Sequence, residues 1–210
     1  MVTATPFPAP AKLNLFLHVV GRRADGYHLL QSVFALIELQ DRLEIAVRND
    51  GAIRRLRGND GIRPEDDLMV RAAFLLQRES GCTLGADLSI DKRIPLGGGL
   101  GGGSSDAATV LLALNALWNL DWPVSRLTKL GLALGADVPF FVQGCNAWVE
   151  GIGETLVPVE LPPWWYVVLE PPVPVSTAGI FASPELTRNS IPLKIADFSA
   201  NGLGSCRNDL

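Results

Sequence analysis

A run of glycines between residues 95 and 105 is the part of the sequence whose residue types most directly suggest a ligand. Six glycines fall within the seven positions 97–103, and two serines follow. Glycine has no Cβ, so its backbone can adopt positive φ and its N–H groups can converge on an anion. A helix starting at the serines would add the positive end of its dipole. The pattern predicts a polyphosphate site formed by Pro95, Leu96, Gly97, Gly98, Gly99, Leu100, Gly101, Gly102, Gly103, Ser104 and Ser105.

Other interpretations of this loop stay open at the level of sequence. It could be a flexible connection with a serine cap, and the hydroxyls of Ser104 and Ser105 could cap a helix, donate to phosphate or help to hold Mg²⁺. A Walker loop is excluded because no lysine precedes Ser104. The spacing G-x-G-x-x-G is present, but residues 93–96 would make a poor central strand, which argues against a dinucleotide fold.

Lys12 and Asp137 are the candidates for the chemistry that a bound nucleotide triphosphate would undergo. Phosphoryl transfer requires cations, positioning and a group that takes the acceptor's proton. A lysine near an aspartate would keep the carboxylate ionised and would stabilise developing negative charge. Their spacing does not show that the two side chains meet, and a surface lysine and a turn aspartate remain the simpler interpretation.

Tyr27 and His28 follow the turn residues Asp25 and Gly26, where a ring beside an imidazole could stack on a base and bond to it. The alternative is a tyrosine that packs over the edge of a sheet. The chain has only two histidines, so a metal site of three histidines is excluded, and no metal-ligating residue is assigned.

The elements that must position these residues form an α+β pattern. Periodicity predicts helices at residues 66–79, from residue 104 or 105, and at 124–134, and it predicts that Trp164 and Trp165 pack against a sheet. Strands are predicted at 12–20, 29–39, 43–47, 52–56, 87–91, 137–142, 147–150 and 166–170.

Composition excludes several classes of protein. The 210 residues contain 18 Lys and Arg against 22 Asp and Glu, a net charge of 18 − 22 = −4, which leaves no electrostatic footprint for nucleic acid. The three cysteines form no C-x-x-C pair, so disulfides and structural zinc are not expected. No membrane-spanning or targeting segment is evident in the sequence, so a cytoplasmic protein is predicted. We also expect a monomer or a weak homodimer.

Four motifs together resemble the GHMP small-molecule kinases over nearly the whole chain. They are P-A-K-L-N-L-F-L at 10–17, R-A-D-G-Y-H at 23–28, the glycine loop, and L-G-A-D-V-P at 134–139. The resemblance implies a GHMP N-terminal ATP-binding domain over residues 1–160, with a mixed or antiparallel sheet and helices packed on one side. Residues 161–210 would be a connecting segment and the start of a C-terminal α/β lobe.

Within that family, the match narrows to members that phosphorylate the 2-hydroxyl of CDP-methylerythritol in the non-mevalonate isoprenoid pathway. It implies ATP and Mg²⁺ as cofactors, a glycine loop that wraps the ATP phosphates, and an aspartate that takes the hydroxyl proton. The residues that the resemblance assigns are the catalytic pair Lys12 and Asp137, the cytosine-binding Tyr27, His28 and Phe181, and Asn14 beside the methylerythritol portion.

Two departures from the family pattern accompany the resemblance. The N-D-L stretch at 208–210 is where the family continues into its second lobe, so we expect most of that lobe to be absent from this chain. Asp67 stands where asparagine is frequent near the adenine. The alternatives are a homoserine or mevalonate type of GHMP kinase, which Tyr27 and His28 disfavour, and a non-catalytic nucleotide-binding fragment.

Overall fold

A computed structural model describes residues 5–58, 61–170, 177–196, 198, 203–204 and 206–210. By its contacts, the chain divides into two compact units, each built from discontinuous stretches. The first unit contains the residues up to Ala11, Glu38–Leu96 and Gly101–Gly144, and the second contains Lys12–Ile37, Gly97–Leu100 and Cys145–Leu210. The predicted division of the chain at residue 160 stays a prediction.

Six strands and five helices are formed by the described residues. The strands are β1 (Thr5–Arg22), β2 (His28–Arg48), β3 (Ile53–Arg57), β4 (Gly85–Asp91), β5 (Ala147–Gly151) and β6 (Thr155–Pro158). The helices are α1 (Leu68–Ser80), α2 (Gly102–Leu117), α3 (Val124–Leu132), α4 (Val138–Gln143) and α5 (Thr177–Ala182). The sequence predicted α1, α2 and α3 to within a few residues, and the α+β class is confirmed.

The first unit combines a mixed sheet with α1, α2, α3 and α4. Strand β4 is antiparallel to the second half of β2, from Arg42 opposite Asp91 to Arg48 opposite Gly85, and it is parallel to β3. Helix α2 is buried along most of its length, and six of its nine buried residues are alanine, valine or leucine. The fully buried side chains of this unit include Leu43, Met69, Leu76, Leu88, Leu111, Leu114, Leu127 and Phe140.

The second unit is built on the first half of β2, which pairs antiparallel with β5, and β5 pairs in turn with β6. One cluster of its core contains the buried side chains of Phe16, Val33, Trp148 and Phe198. The last described residues return to β1, where Leu17 and Asn208 form a parallel bridge. The Asp209 side chain also accepts a hydrogen bond from Val19 N at 2.8 Å.

Four sequence predictions of local structure are wrong. Residues 138–143 form helix α4 where a strand was expected, with Pro139 in the first turn and Gly144 as its left-handed C-cap. Residues 166–170 have no regular structure, and Trp165, at 96% exposed, is not packed against a sheet. The two strands expected at 29–39 and 43–47 are one continuous strand, β2.

Helices of the described ranges are all too short or too polar to cross a membrane.

Candidate functional site

The glycine loop takes the backbone conformation that its composition predicts. Gly97, Gly99 and Gly101 have φ values of 73°, 71° and 72°, in the left-handed region that other residues avoid. A Cβ added at Gly97 or Gly99 would meet no atom within 4 Å, so the backbone there borders open space. Left-handed residues of this kind are typical of backbone nests, whose N–H groups bind anions.

Helix α2 begins immediately after this loop, without a side-chain cap. Its N-cap is Gly101, and no side chain bonds to the N–H groups of its first turn. Ser105 is fully buried and its hydroxyl has no hydrogen-bond partner among the described residues. Ser104 is half-buried and lies beside Gly135, since a Cβ added there would be 3.7 Å from Ser104 Oγ. Of the two serines, Ser104 is the more accessible to a ligand.

A buried charge cluster supports the start of α2, and the sequence did not predict it. Lys92 Nζ donates to Asp41 Oδ2 at 2.5 Å and to Asp106 Oδ2 at 2.8 Å. Asp41 also accepts hydrogen bonds from the N–H groups of Arg93 and Ile94. Asp41 is 0% exposed, Asp106 only 5%.

One lysine thus serves two buried carboxylates. The pKa of Asp106 is raised to about 7, because burial, with a smaller contribution from Asp41, outweighs the attraction of Lys92. Burial lowers the pKa of Lys92, but its two carboxylate partners outweigh that and the net direction is upward. A Cβ at Gly102 would lie 2.9 Å from Lys92 Nζ, so the first turn of α2 sits directly against the lysine.

Lys12 is buried in the second unit. Its Nζ donates to Asn14 Oδ1 at 2.8 Å and lies 4.1 Å from the centroid of the Phe34 ring. Its backbone N–H donates to the carbonyl of Leu100, the last residue of the loop segment in this unit. Lys12 is only 4% exposed, so it is not the surface lysine of the simpler interpretation.

Asp137 lies in the first unit, at the N-cap position of α4. It has helical φ and ψ of −83° and −16°, and its side chain makes no capping hydrogen bond to α4. The carboxylate is half-buried, in the same turn as Gly135, which borders Ser104. The pairing of Asp137 with Lys12 stays a prediction.

Rings from two parts of the second unit line a cavity of about 440 Å³. The rings of His28 and Phe181 are stacked with centroids 5.0 Å apart and an interplanar angle of 25°. Tyr27 borders the same cavity and is 61% exposed. The three aromatic residues that the resemblance assigned to cytosine are thus brought together.

Arg188 is a further residue of this site that the sequence did not indicate. Its Nε donates to His28 Nε2 at 3.1 Å, and its Nη2 donates to the carbonyls of Phe181 and Ser183. Burial, followed by the charges of Arg188 and Arg22, lowers the pKa of His28. No helix or strand was predicted around Arg188, and no sequence motif indicated that it contacts His28.

Asp67, the residue that departs from the family pattern, has a structural role at the start of α1. Its carboxylate accepts a hydrogen bond from Met69 N at 3.0 Å and forms an ion pair with Arg55 at 2.8 Å. Both side chains are less than 15% exposed. The aspartate therefore caps α1 and neutralises a nearly buried arginine.

The fold and the glycine loop define a kinase of the GHMP class, and the family model described as GHMP kinases N terminal domain matches residues 67–145. A relative from Methylibium petroleiphilum, named 4-diphosphocytidyl-2-C-methyl-D-erythritol kinase, is 64% identical over 203 residues, which cover 97% of this chain and 70% of the relative. The chain belongs to the 4-diphosphocytidyl-2-C-methyl-D-erythritol kinase family.

Solved structures agree with this assignment. The crystal structure of a 4-(cytidine 5'-diphospho)-2C-methyl-D-erythritol kinase is 39% identical, with a TM-score of 0.77 over 90% of this chain and 67% of that one. A homoserine kinase from Cytophaga hutchinsonii has a TM-score of 0.65 at 18% identity, over 95% of this chain and 64% of that one. At that identity the likeness extends to the fold alone.

Proposed function

We propose that this chain transfers the γ-phosphoryl group of ATP to the 2-hydroxyl of 4-diphosphocytidyl-2-C-methyl-D-erythritol, giving the 2-phosphate and ADP. The observation that carries the proposal is the cavity bordered by Tyr27, His28 and Phe181, which is suited to a planar base. A small acceptor such as homoserine or mevalonate has no base that could occupy this cavity. The name of the relative at 64% identity agrees with this substrate.

The glycine loop and the start of α2 bind the ATP phosphates in this proposal. The supporting observations are the left-handed glycines at 97, 99 and 101 and the absence of any side-chain cap on α2. Backbone N–H groups that no side chain satisfies are free to donate to phosphate oxygens. Because these donors are fixed by the chain conformation, they need little reorganisation when charge develops in the transition state.

Asp137 is the proposed base and Lys12 its cationic partner. Asp137 would accept the proton of the 2-hydroxyl as that oxygen bonds to the γ-phosphorus and the bond to the β,γ-bridging oxygen breaks. The ammonium of Lys12 would keep the aspartate ionised and stabilise charge on the transferring group. Burial of Lys12 against Phe34 supports this role, because a lysine withdrawn from water interacts more strongly with nearby charge.

Asn14 and the ring residues would orient the acceptor. The amide oxygen of Asn14 holds Lys12 Nζ at 2.8 Å, which leaves its N–H₂ group to donate to the methylerythritol portion. Tyr27 and Phe181 would stack on the cytosine while His28 bonds to its edge. Binding of the remote base would thus help to align the reacting hydroxyl.

Mg²⁺ fits this arrangement as a metal held mainly by the nucleotide. The described residues contain no cluster of three His, Cys, Asp or Glu side chains that could hold an ion. This suits Mg²⁺ in a nucleotide site, which takes most of its ligands from phosphates and water. The hydroxyl of Ser104 is the side chain proposed to help to hold it, and the ion would supply charge neutralisation for the phosphates.

A steady-state kinase assay of the 210-residue chain tests the proposal. Turnover with 4-diphosphocytidyl-2-C-methyl-D-erythritol, and none above background with homoserine or mevalonate, is the expected result. Preference for either small acceptor would overturn the substrate, and ATP binding without turnover would favour the non-catalytic alternative. The cytoplasmic location and the monomeric or weakly dimeric state remain predictions from the sequence.

A further inference from the structure

Arg188 connects the two rings of the base pocket through a single guanidinium group. Nε donates to His28 Nε2 at 3.1 Å, and Nη2 donates to the carbonyl of Phe181 at 3.0 Å and to that of Ser183 at 2.6 Å. Nη1 donates to the carbonyl of Leu186 at 3.0 Å. The arginine therefore fixes the first residue of β2 against the C-terminal end of α5.

The bond to His28 also fixes where the imidazole carries its proton. Arginine is only a donor, so Nε2 of His28 must present its lone pair, and a neutral imidazole then carries its hydrogen on Nδ1. Burial, with the positive charges of Arg188 and Arg22, lowers the pKa of His28 and favours the neutral ring. His28 lines the cavity, and Nδ1–H is the donor that its ring can offer to a ligand there.

We propose that Arg188 is a positioning residue that makes the pocket select cytosine over uracil, by holding His28 as an Nδ1–H donor beside the Phe181 ring. This inference rests on the proposed function, since it assumes that the cavity binds the cytidine portion of the substrate. At position 3, cytosine offers an acceptor and uracil a donor. A fixed donor in the pocket can bond to the acceptor at position 3 of cytosine. In uracil it would face the N–H at position 3, and both donors would be buried without a partner.

Binding of CDP and UDP to the 210-residue chain, measured by calorimetry at pH 7.5, tests the effect on specificity. The wild-type chain should bind CDP at least about tenfold more tightly than UDP. Arg188→Met should reduce this preference to about threefold or less, because the ring can then present either nitrogen as its donor. Arg78→Met is the matched control: Arg78 bonds to Glu79 on the surface, and its loss should leave the ratio unchanged.

An unchanged CDP-to-UDP ratio in folded Arg188→Met would overturn the role of Arg188 while leaving the cytosine pocket in place. If the wild-type chain binds neither nucleotide, the cytosine pocket itself is wrong and this part of the proposed function fails with it. Whether the wild-type chain binds CDP or UDP at all therefore distinguishes a failure of the cytosine pocket from a failure of the role of Arg188.

The tautomer of His28 gives a readout that does not depend on whether the variant folds. Side-chain ¹⁵N spectra of the wild-type chain contain two imidazoles, His18 and His28, which a His18→Gln variant separates. The expected spectrum shows His28 protonated on Nδ1 at pH 7.5. A ring protonated on Nε2 would contradict the proposal outright, whatever the nucleotide measurements show.

Discussion

Asp67 and Asp137 occupy the same position in two helices of one unit, yet they are used differently. Asp67 precedes α1, bonds to Met69 N and pairs with Arg55. Asp137 precedes α4 and makes no capping bond to it. Helix α2 resembles α4 in this respect, since its N-cap Gly101 offers no side chain at all.

The difference is that Asp67 caps its own helix and Asp137 does not. An aspartate at an N-cap ordinarily satisfies the N–H groups of its own helix, as Asp67 does. Where no side chain caps the helix, as in α2, the N–H groups of the first turn can donate to a bound anion. Buried support for α2 comes instead from Lys92 and its two aspartates.

Removal of the carboxylate of Asp137 should have the largest effect on turnover. Asp137→Asn should reduce turnover by about 10²- to 10⁴-fold, the contribution of a general base, with ATP affinity nearly retained. Steady-state kinetics with 4-diphosphocytidyl-2-C-methyl-D-erythritol, together with ATP titration, measures both. Asp67→Asn is the matched control, and a comparable loss of turnover there would refute the distinction between the two aspartates.

Lys92→Met should have the largest effect on stability. It leaves the carboxylates of Asp41 and Asp106 buried without their cation, and breaking a buried ion pair costs about 3–5 kcal/mol. Urea unfolding followed by circular dichroism measures the change in free energy. Lys129→Met, on an exposed face of α3, should change it by less than about 0.5 kcal/mol. Equal stabilities of the two variants would show that the cluster does not support α2.

Asp67→Ala should lower the free energy of unfolding by about 1–3 kcal/mol, because it removes a cap and a charge-assisted hydrogen bond. Asp67→Asn should cost less, since an amide oxygen can still cap α1. Thermal unfolding of both variants checks the order. If the asparagine variant is the less stable of the two, capping is not what this residue contributes.

The smallest expected effect is on how the free energy of unfolding depends on pH. Burial lowers the pKa of His18, with Arg207 adding to this and Asp209 opposing it, and Nδ1 has no partner in the described part of the chain. Below the unfolded value of about 6.5 the unfolded chain binds the proton first, so stability falls as pH decreases through that region.

His18→Gln should flatten this decline, which a series of urea unfolding curves between pH 7.5 and 5.5 would measure. His28, whose pKa is also lowered, contributes in the same direction, so His28→Gln is the necessary companion. A steeper decline in His18→Gln than in the wild-type chain would reverse the assigned sign.

The sequence predicted most elements correctly because their periodicity was unambiguous. Helix α4 was missed because Val138, Pro139, Phe140, Phe141 and Val142 are all buried. A segment without a polar face reads the same as a strand or as a helix, and only packing decides between them. The apolar run at 166–170 misled for the opposite reason, since it forms no regular structure.

The site was predictable where a motif carries it and not where packing does. The left-handed glycines and the grouping of Tyr27 with His28 follow from local sequence. Lys92, Asp41 and Asp106 lie far apart along the chain, and Arg188 lies 160 residues from His28, so no local pattern connects them. Such pairings depend on the register of strands and the ends of helices, which the sequence specifies only through the whole fold.

The return of residues 206–210 to β1 has a consequence for the order of folding. Val19 N bonds to the Asp209 side chain across 190 positions, and the backbone of Leu17 bonds to both Arg207 and Asp209. During synthesis, this edge of β1 must wait until residues 206–210 have left the ribosome. Contacts between residues so far apart in the sequence form slowly, so the second unit should complete its native structure late. Until then the edge of β1 is unpaired, and the nascent chain is most prone to aggregate during this period.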